Sequence, residues 1–359
     1  MALARNPSAR PRVSIEEVRA ADRRLIGAVL GLAFMGGAIG CAGSGGSTSV
    51  ERAAPVLRER EQDGTRPVVR GQPIDVAGLE GRIVFDDFED VYVMEADGSN
   101  VRPVAGRPGP EFDAAWAPDG RWVVYRDSRR GINENDEVYV ARADGSAVRN
   151  LSRDPANDWG PEWSPDGKTI AFNSDRDGGV MSGYLVSPDG SDLRRIDADV
   201  WIEYPSFSPD GAKIAFMGHD GGDYDIYVAE LATGAARRLT EAPGSDGWPA
   251  WSPDGSTIAF ASERDDCLYA AEAAPCWIDP DGEPGEHHDV WLMDVDGSNQ
   301  RRVTPESGHF LTWSPDGEHL LVSGRSLYVI RPDGTGRRDV LPTSGGLPDW
   351  VAATGVPTP

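Results

Sequence analysis

The chain has 359 residues, 39% of them hydrophobic, with 43 Gly, 28 Pro, 11 Trp and a formal net charge of −24. That apolar and aromatic content excludes a disordered polymer. The excess of acid excludes a nucleic-acid-binding surface, because neutralising phosphates takes Lys and Arg.

Residues 25–40 read LIGAVLGLAFMGGAIG and follow Arg23 and Arg24. Sixteen uncharged residues are too few for a spanning helix, which needs about 20, but suit the apolar core of a secretory signal. The stretch ends in AIGC at 38–41. This resembles the bacterial lipobox, and the resemblance implies cleavage before Cys41 and lipidation of its thiol. Residues 1–40 hold six Arg against Glu16, Glu17 and Asp22. Cleavage therefore takes the formal charge to −27. No Asp follows Cys41, so in a bacterium with two membranes the expected address is the outer one. Residues 41–78 are polar and begin CAGSGGSTSV, as a flexible tether does.

From residue 79 to 353 the chain is periodic. WSPDG stands at 163–167, 251–255 and 313–317, with WAPDG at 116–120 and FSPDG at 207–211. In this turn Pro presets φ, Asp follows, and Gly takes the left-handed conformation that lets two strands pair again. The Asp residues are thus turn formers rather than ligands. Apolar runs such as TIAF at 169–172 and KIAF at 213–216 come next, then segments such as EVYVAR at 137–142 and DIYVAE at 225–230. A second turn follows, Asp-Gly in five places and Thr233-Gly234 in a sixth. Short Arg-bearing strands such as RRVT at 301–304 close each unit.

The first-turn glycines are 47, 44, 44 and 62 residues apart. Four strands in about 40–45 residues describe a propeller blade. Six second turns, against five first turns, predict an all-β, six-bladed propeller whose first blade lacks its first strand. LPDWVA at 347–352 matches YPSFSP and WPAWSP, and is predicted to supply it. The Arg residues 194, 195, 237, 238, 301, 302, 337 and 338 fall on outer edges, where charge blocks edge-to-edge pairing. Residues 354–359 form a tail.

The repeat WSPDG … IAF … DIYV … DG … RRLT resembles that of TolB-type propellers over residues 81–352. The resemblance implies a binding scaffold, without the α/β domain that precedes the propeller in TolB. Related propellers also precede hydrolase domains or form metal-dependent sugar lyases with histidines in the channel. A channel lyase or hydrolase-like enzyme is therefore the alternative to a binding protein, with His309 placed for it. No G-x-S-x-G, H-E-x-x-H or phosphate loop appears, and neither a cofactor nor a metal is expected.

Binding is expected on the face opposite the stereotyped turns, at residues just before each first strand: Asp113, Asp158, Trp159, Glu203, Tyr204, Asp246, Trp248 and His309. Acids beside aromatics suit a protein or peptide partner, cationic in character, held by a monomer that meets the membrane only through its lipid. Residues 267–288 form the longest insertion and carry Cys267 and Cys276. In an exported chain these read as a disulfide, worth about 2–3 kcal/mol for so small a loop. The acid-rich DPDGEPGEHHD at 279–289 lacks EF-hand spacing and reads as a solvated loop.

Overall fold

A computed structural model describes residues 74–104, 110–128, 135–219, 222–264, 288–304, 308–342 and 345–353. The signal, the tether, the tail, Cys41 and the Cys267/Cys276 pair lie outside them.

Each apolar run forms a strand. Blade 1 contains β1 (Arg82–Asp86), β2 (Val91–Glu95) and β3 (Arg102–Pro103). Blade 2 contains β4 (Glu111–Trp116), β5 (Trp122–Asp127), β6 (Glu137–Arg142) and β7 (Arg149–Asn150). Blade 3 contains β8 (Asp158–Trp163), β9 (Ile170–Ser174), β10 (Ser182–Val186) and β11 (Arg194–Arg195). Blade 4 contains β12 (Glu203–Phe207), β13 (Lys213–Gly218), β14 (Asp225–Glu230) and β15 (Ala236–Arg238). Blade 5 contains β16 (Asp246–Trp251), β17 (Thr257–Ser262), β18 (Asp289–Asp294) and β19 (Arg301–Thr304). Blade 6 contains β20 (Gly308–Trp313), β21 (Leu320–Gly324), β22 (Leu327–Ile330) and β23 (Arg338–Leu341). The last strand, β24 (Asp349–Val351), returns to blade 1. All six sheets are antiparallel and four-stranded.

The ring closes as the sequence predicts. Strand β24 pairs with β1 in the register Arg82↔Val351, Ile83↔Trp350 and Val84↔Asp349. The Trp350 indole donates to the Glu80 carbonyl at 3.0 Å. The Asp349 carboxylate accepts from the Trp116 amide of blade 2 at 2.7 Å. One short strand thus ties the last repeat both to the first and to the next blade.

The turn chemistry holds as read. Ser164 Oγ donates to Asp166 at 2.8 Å and accepts from the Thr169 amide at 2.9 Å, while the Lys168 amide reaches the same Asp166 oxygen at 3.0 Å. The Ser164 and Lys168 bonds hold the Asp166 carboxyl below its ordinary range. Gly167 takes φ +66°, which glycine adopts without a Cβ penalty. A Cβ there would lie 3.7 Å from Pro118 of the preceding turn, so successive first turns touch around the ring.

Second and third strands are buried on both faces, as in β9 and β10, where every residue is buried. Each sheet is sandwiched between two others, so period-two alternation gives way to continuous apolar runs. Phe172, Phe216 and Phe260 occupy equivalent positions with no exposure, and each such side chain is worth roughly 1.5–3 kcal/mol of burial. The motif aromatics fill blade junctions: Trp163 of blade 3 packs in one cluster with Val124 and Val140 of blade 2.

The outer strands do more than deter pairing. Arg102 donates to the Ala143 carbonyl at 2.6 Å, Arg237 to that of Asp296 at 2.7 Å and Arg301 to that of Pro332 at 2.8 Å. Each bond crosses from one blade to the second-turn region of the next. Arg302 instead pairs with Asp289 of its own blade at 3.2 Å. The arginine girdle is therefore partly a set of staples between blades.

Candidate functional site

First strands lie innermost and together enclose a central channel with a cavity of about 70 Å³, room for about five waters. Its shape comes from one local device. Strands β4, β8, β12, β16 and β20 each shift register against their partner near their start, between Phe112 and Ala115, Trp159 and Glu162, Glu203 and Ser206, Gly247 and Ala250, and Gly308 and Phe310. These are β-bulges, which bend a strand and re-aim its side chains. In four of them one residue takes a left-handed φ: Asp113 (+52°), Gly160 (+59°), Tyr204 (+47°) and Trp248 (+49°). Only one of the four is glycine. Holding bulky L-residues there costs on the order of 1 kcal/mol or more each and needs support from the surroundings.

At three of the four, the preceding blade gives that support. A bulge leaves an amide unpaired in its own sheet, and a buried amide must find an acceptor. The Asp113 amide donates to Asp86 at 3.2 Å, the Gly160 amide lies 3.5 Å from Asp113 Oδ2, and the Tyr204 amide donates to Asn173 at 3.2 Å. Blade 1 thus sets blade 2, blade 2 sets blade 3 and blade 3 sets blade 4. A Cβ at Gly160 would lie 2.6 Å from Asn173 Oδ1, so here it is space, rather than φ alone, that favours glycine.

Around the mouth the wall carries Leu347, Asp113, Gly160, Tyr204 and Trp248; nearer the turn face it carries Ala115, Glu162, Ser206, Ala250, Thr312 and Asp349. Among the described residues, no Lys, Arg or His lines it. Burial pushes the Glu162 carboxyl well above its ordinary range, and the charge of Asp349 adds to that. Burial raises Asp349 too, although the Trp116 and Trp350 amides pull it back. Asp86 is held high by burial and by the Asp113 charge. Asp113 is raised by burial, partly countered by Arg126 at 3.6 Å. The channel is an acidic, desolvated well with an aromatic side.

The eight sequence candidates divide. Asp113, Tyr204 and Trp248 line the channel. Asp158, Glu203 and Asp246 stand at the first positions of β8, β12 and β16 and are fully or almost fully buried. Asp158 pairs with Arg176 at 2.9 Å and Asp246 with Arg264 at 2.6 Å, while Glu203 accepts from the Tyr224 hydroxyl at 3.0 Å. The channel positions lie within the bulges and these acids at or just before their start, and the two sets face different sides. Burial lifts Asp158 to about 6. Trp159 is buried, with the Arg126 guanidinium 5.7 Å from its ring centroid. His309 is half-buried and packs on His288 and Phe310.

Glu162 and Asp349 were not singled out from sequence, yet a signal exists. Each immediately precedes a motif aromatic, Trp163 or Trp350. Since the aromatic turns into a blade junction, its neighbour takes the other side of the strand.

A larger groove, about 450 Å³, opens on the turn face between blades 4 and 5, with Trp251, Val228 and Val295 in its wall and the Lys213–Glu230 pair at its edge. It lacks the bulged residues and the burial-raised acids that converge on the channel. Among the described residues, no group of three or more His, Cys, Asp or Glu is placed to hold a metal ion. No helix among them is long and apolar enough to cross a membrane.

Six four-stranded antiparallel sheets around one channel define a six-bladed β-propeller. The family model described as the TolB beta propeller domain matches residues 90–200 and 198–269, and the chain belongs to that family. Among solved structures, the chain is similar to putative TolB from Agrobacterium tumefaciens at 22% identity, with 75% of this chain and 91% of that one covered and a TM-score of 0.56. It is similar to TolB from Acinetobacter baumannii at 21% identity, with 78% and 68% covered and a TM-score of 0.60. A chain of a nidogen/laminin complex shares the fold at 10% identity, with 77% and 99% covered and a TM-score of 0.59. No curated protein matches the chain.

Proposed function

We propose that this propeller is a non-catalytic binding protein of the bacterial envelope, exported and held by a lipid on Cys41, which captures a cationic segment of a protein or peptide at the channel mouth. The observation that carries this reading is the make-up of the channel wall: Asp113, Glu162 and Asp349 with Tyr204 and Trp248, and no basic side chain among the described residues that line it. Aromatic faces and carboxylates attract a cation together, and both attractions are stronger in a recessed site than in open water. The left-handed backbone at Asp113, Tyr204 and Trp248 fits strain retained at a functional surface. Propellers of this fold are found within protein assemblies, the nidogen/laminin complex among them.

On this reading Asp158, Glu203 and Asp246 shape the mouth from behind rather than touch the partner. The test places a photo-crosslinking residue at Tyr204, or at the exposed Leu193 of blade 3 as reference, in intact cells. A partner captured from position 204 but not 193, and lost when Glu162→Lys is added to a protein of unchanged melting temperature, supports the reading. Identical products from both positions, or capture indifferent to Glu162→Lys, overturns it.

A further inference from the structure

The aromatic at the end of each first strand packs into a blade junction, but not equally well everywhere. Trp116, Trp163, Phe207, Trp313 and Trp350 are only 3–7% exposed, whereas Trp251, where blades 4 and 5 meet, stays partly exposed. The turn-face groove of about 450 Å³ lies at that junction, within the size range of ligand sites, roughly 300–1,000 Å³. We infer that this groove is a second binding site, which takes the side chain of an arginine on a peptide segment of a partner protein.

The repeat supplies its own template for that occupant. Arg82 opens β1 opposite Glu95, and Lys213 opens β13 opposite Glu230. The two basic residues therefore hold equivalent places in their blades, yet they act differently. Arg82 reaches across to blade 2, sets its guanidinium carbon 4.7 Å from the Trp116 ring centroid and donates to the Gly120 carbonyl. Lys213 stays within its own blade, with Nζ 2.7 Å from Glu230 Oε1. A guanidinium has a flat face that stacks on a ring, while an ammonium is a compact, strongly hydrated charge. Trp116 is thus roofed by a cation of its own chain, and Trp251 keeps the open face that such a cation would cover.

The rest of the groove suits the same guest. Trp251 and Gly255 hold the places in WSPDG that Trp116 and Gly120 hold in WAPDG, and both line the groove. Val228, Val295 and Pro209 supply apolar wall for the methylene stem of a long basic side chain. Glu230 stands at the edge, where a fork of two N–H groups binds a carboxylate better than one ammonium does. Arg237, the other cation of the wall, is already committed to the carbonyls of Asp296 and Val295 at 2.7 and 3.3 Å. Asp210 and Asp254 add negative charge from the two first turns. Each accepts from a serine hydroxyl and a turn amide, and these bonds hold both carboxyls below their ordinary range.

This site lies on the face away from the channel mouth and stands or falls independently of the reading given above. Tryptophan indole N–H resonances of the full chain are followed by NMR while blocked tripeptides are added: acetyl-Gly-Arg-Gly-amide, or its lysine or leucine counterpart. Trp251→Phe identifies the Trp251 peak. The arginine peptide should move that peak saturably in the millimolar range, with the lysine peptide at least about threefold weaker. Lys213→Arg reproduces the Arg82 arrangement from within and should weaken the arginine peptide about tenfold or more. A Trp251 peak still unmoved at about 20 mM, a lysine or leucine peptide that binds as tightly, or undiminished binding by Lys213→Arg overturns the inference. Should that variant fail to fold, the comparison of the three peptides on the unaltered chain decides alone.

Discussion

Trp350→Ala should come close to unfolding the propeller, although it changes one residue of a three-residue strand. Trp350 is only 6% exposed and packs with Ile83, Phe85 and Met94 across the closure. Truncating a buried aromatic costs about 3–5 kcal/mol, and the lost indole bond to Glu80 adds about 1 kcal/mol. The sum, about 4–6 kcal/mol, rivals the 5–15 kcal/mol that a domain typically has in total. Urea unfolding followed by circular dichroism measures it as a fall in midpoint at constant slope. Trp350→Phe keeps most of the ring and should lose only about 1–2 kcal/mol. Leu193→Ala, at a residue 42% exposed, should stay within about 0.5 kcal/mol. A loss below about 1 kcal/mol for Trp350→Ala would refute the claim that β24 holds the ring shut.

Stability should also fall as pH rises through 6. Asp158 ionises near 6 in the fold against 3.8 for an ordinary Asp, so the folded state binds the extra proton, and its stabilising effect is complete below about pH 4 and lost above about pH 6. The difference corresponds to roughly 3 kcal/mol. Melting curves between pH 4.5 and 7.5 should show that slope reduced in Asp158→Asn; parallel profiles for the two proteins would sink the assignment. Two glycine replacements should separate strain from collision. Gly167→Ala meets nothing closer than 3.7 Å and should cost about 1–2 kcal/mol through φ alone. Gly234→Ala would set a Cβ 1.7 Å from the Asp197 carbonyl oxygen and should cost distinctly more; equal midpoints for the two would contradict the packing described. Glu162→Gln should raise the melting temperature at pH 8 relative to pH 5, since it removes a carboxyl that burial resists ionising; a variant less stable at both pH values would count against a desolvated channel.

Most of the ring could be read from residues 81–352 because the informative residues are local. Pro-Asp-Gly writes a turn, an apolar run writes a doubly covered strand, and the aromatic at Trp350 betrays a strand displaced to the far end. The channel was harder to read. Its bulges depend on left-handed backbone at Asp113, Tyr204 and Trp248, residue types that carry no sign of it; only Gly160 does. The acceptors that permit the bulges, Asp86 and Asn173, lie on neighbouring blades, 27 and 31 residues away. Asp158, Glu203 and Asp246 drew attention as charges at the right place in the chain, but a buried Arg or Tyr partner is invisible until the blades are assembled.

The pairing of residues 82–84 with 349–351 also fixes when this protein can become itself. A chain whose residues 349–351 had not yet arrived would hold five complete sheets and one unfinished sheet. Until then no inner wall could be complete, and the acid-lined cavity would not exist. Completion of that wall thus waits on residues 349–351, however early the other five sheets form.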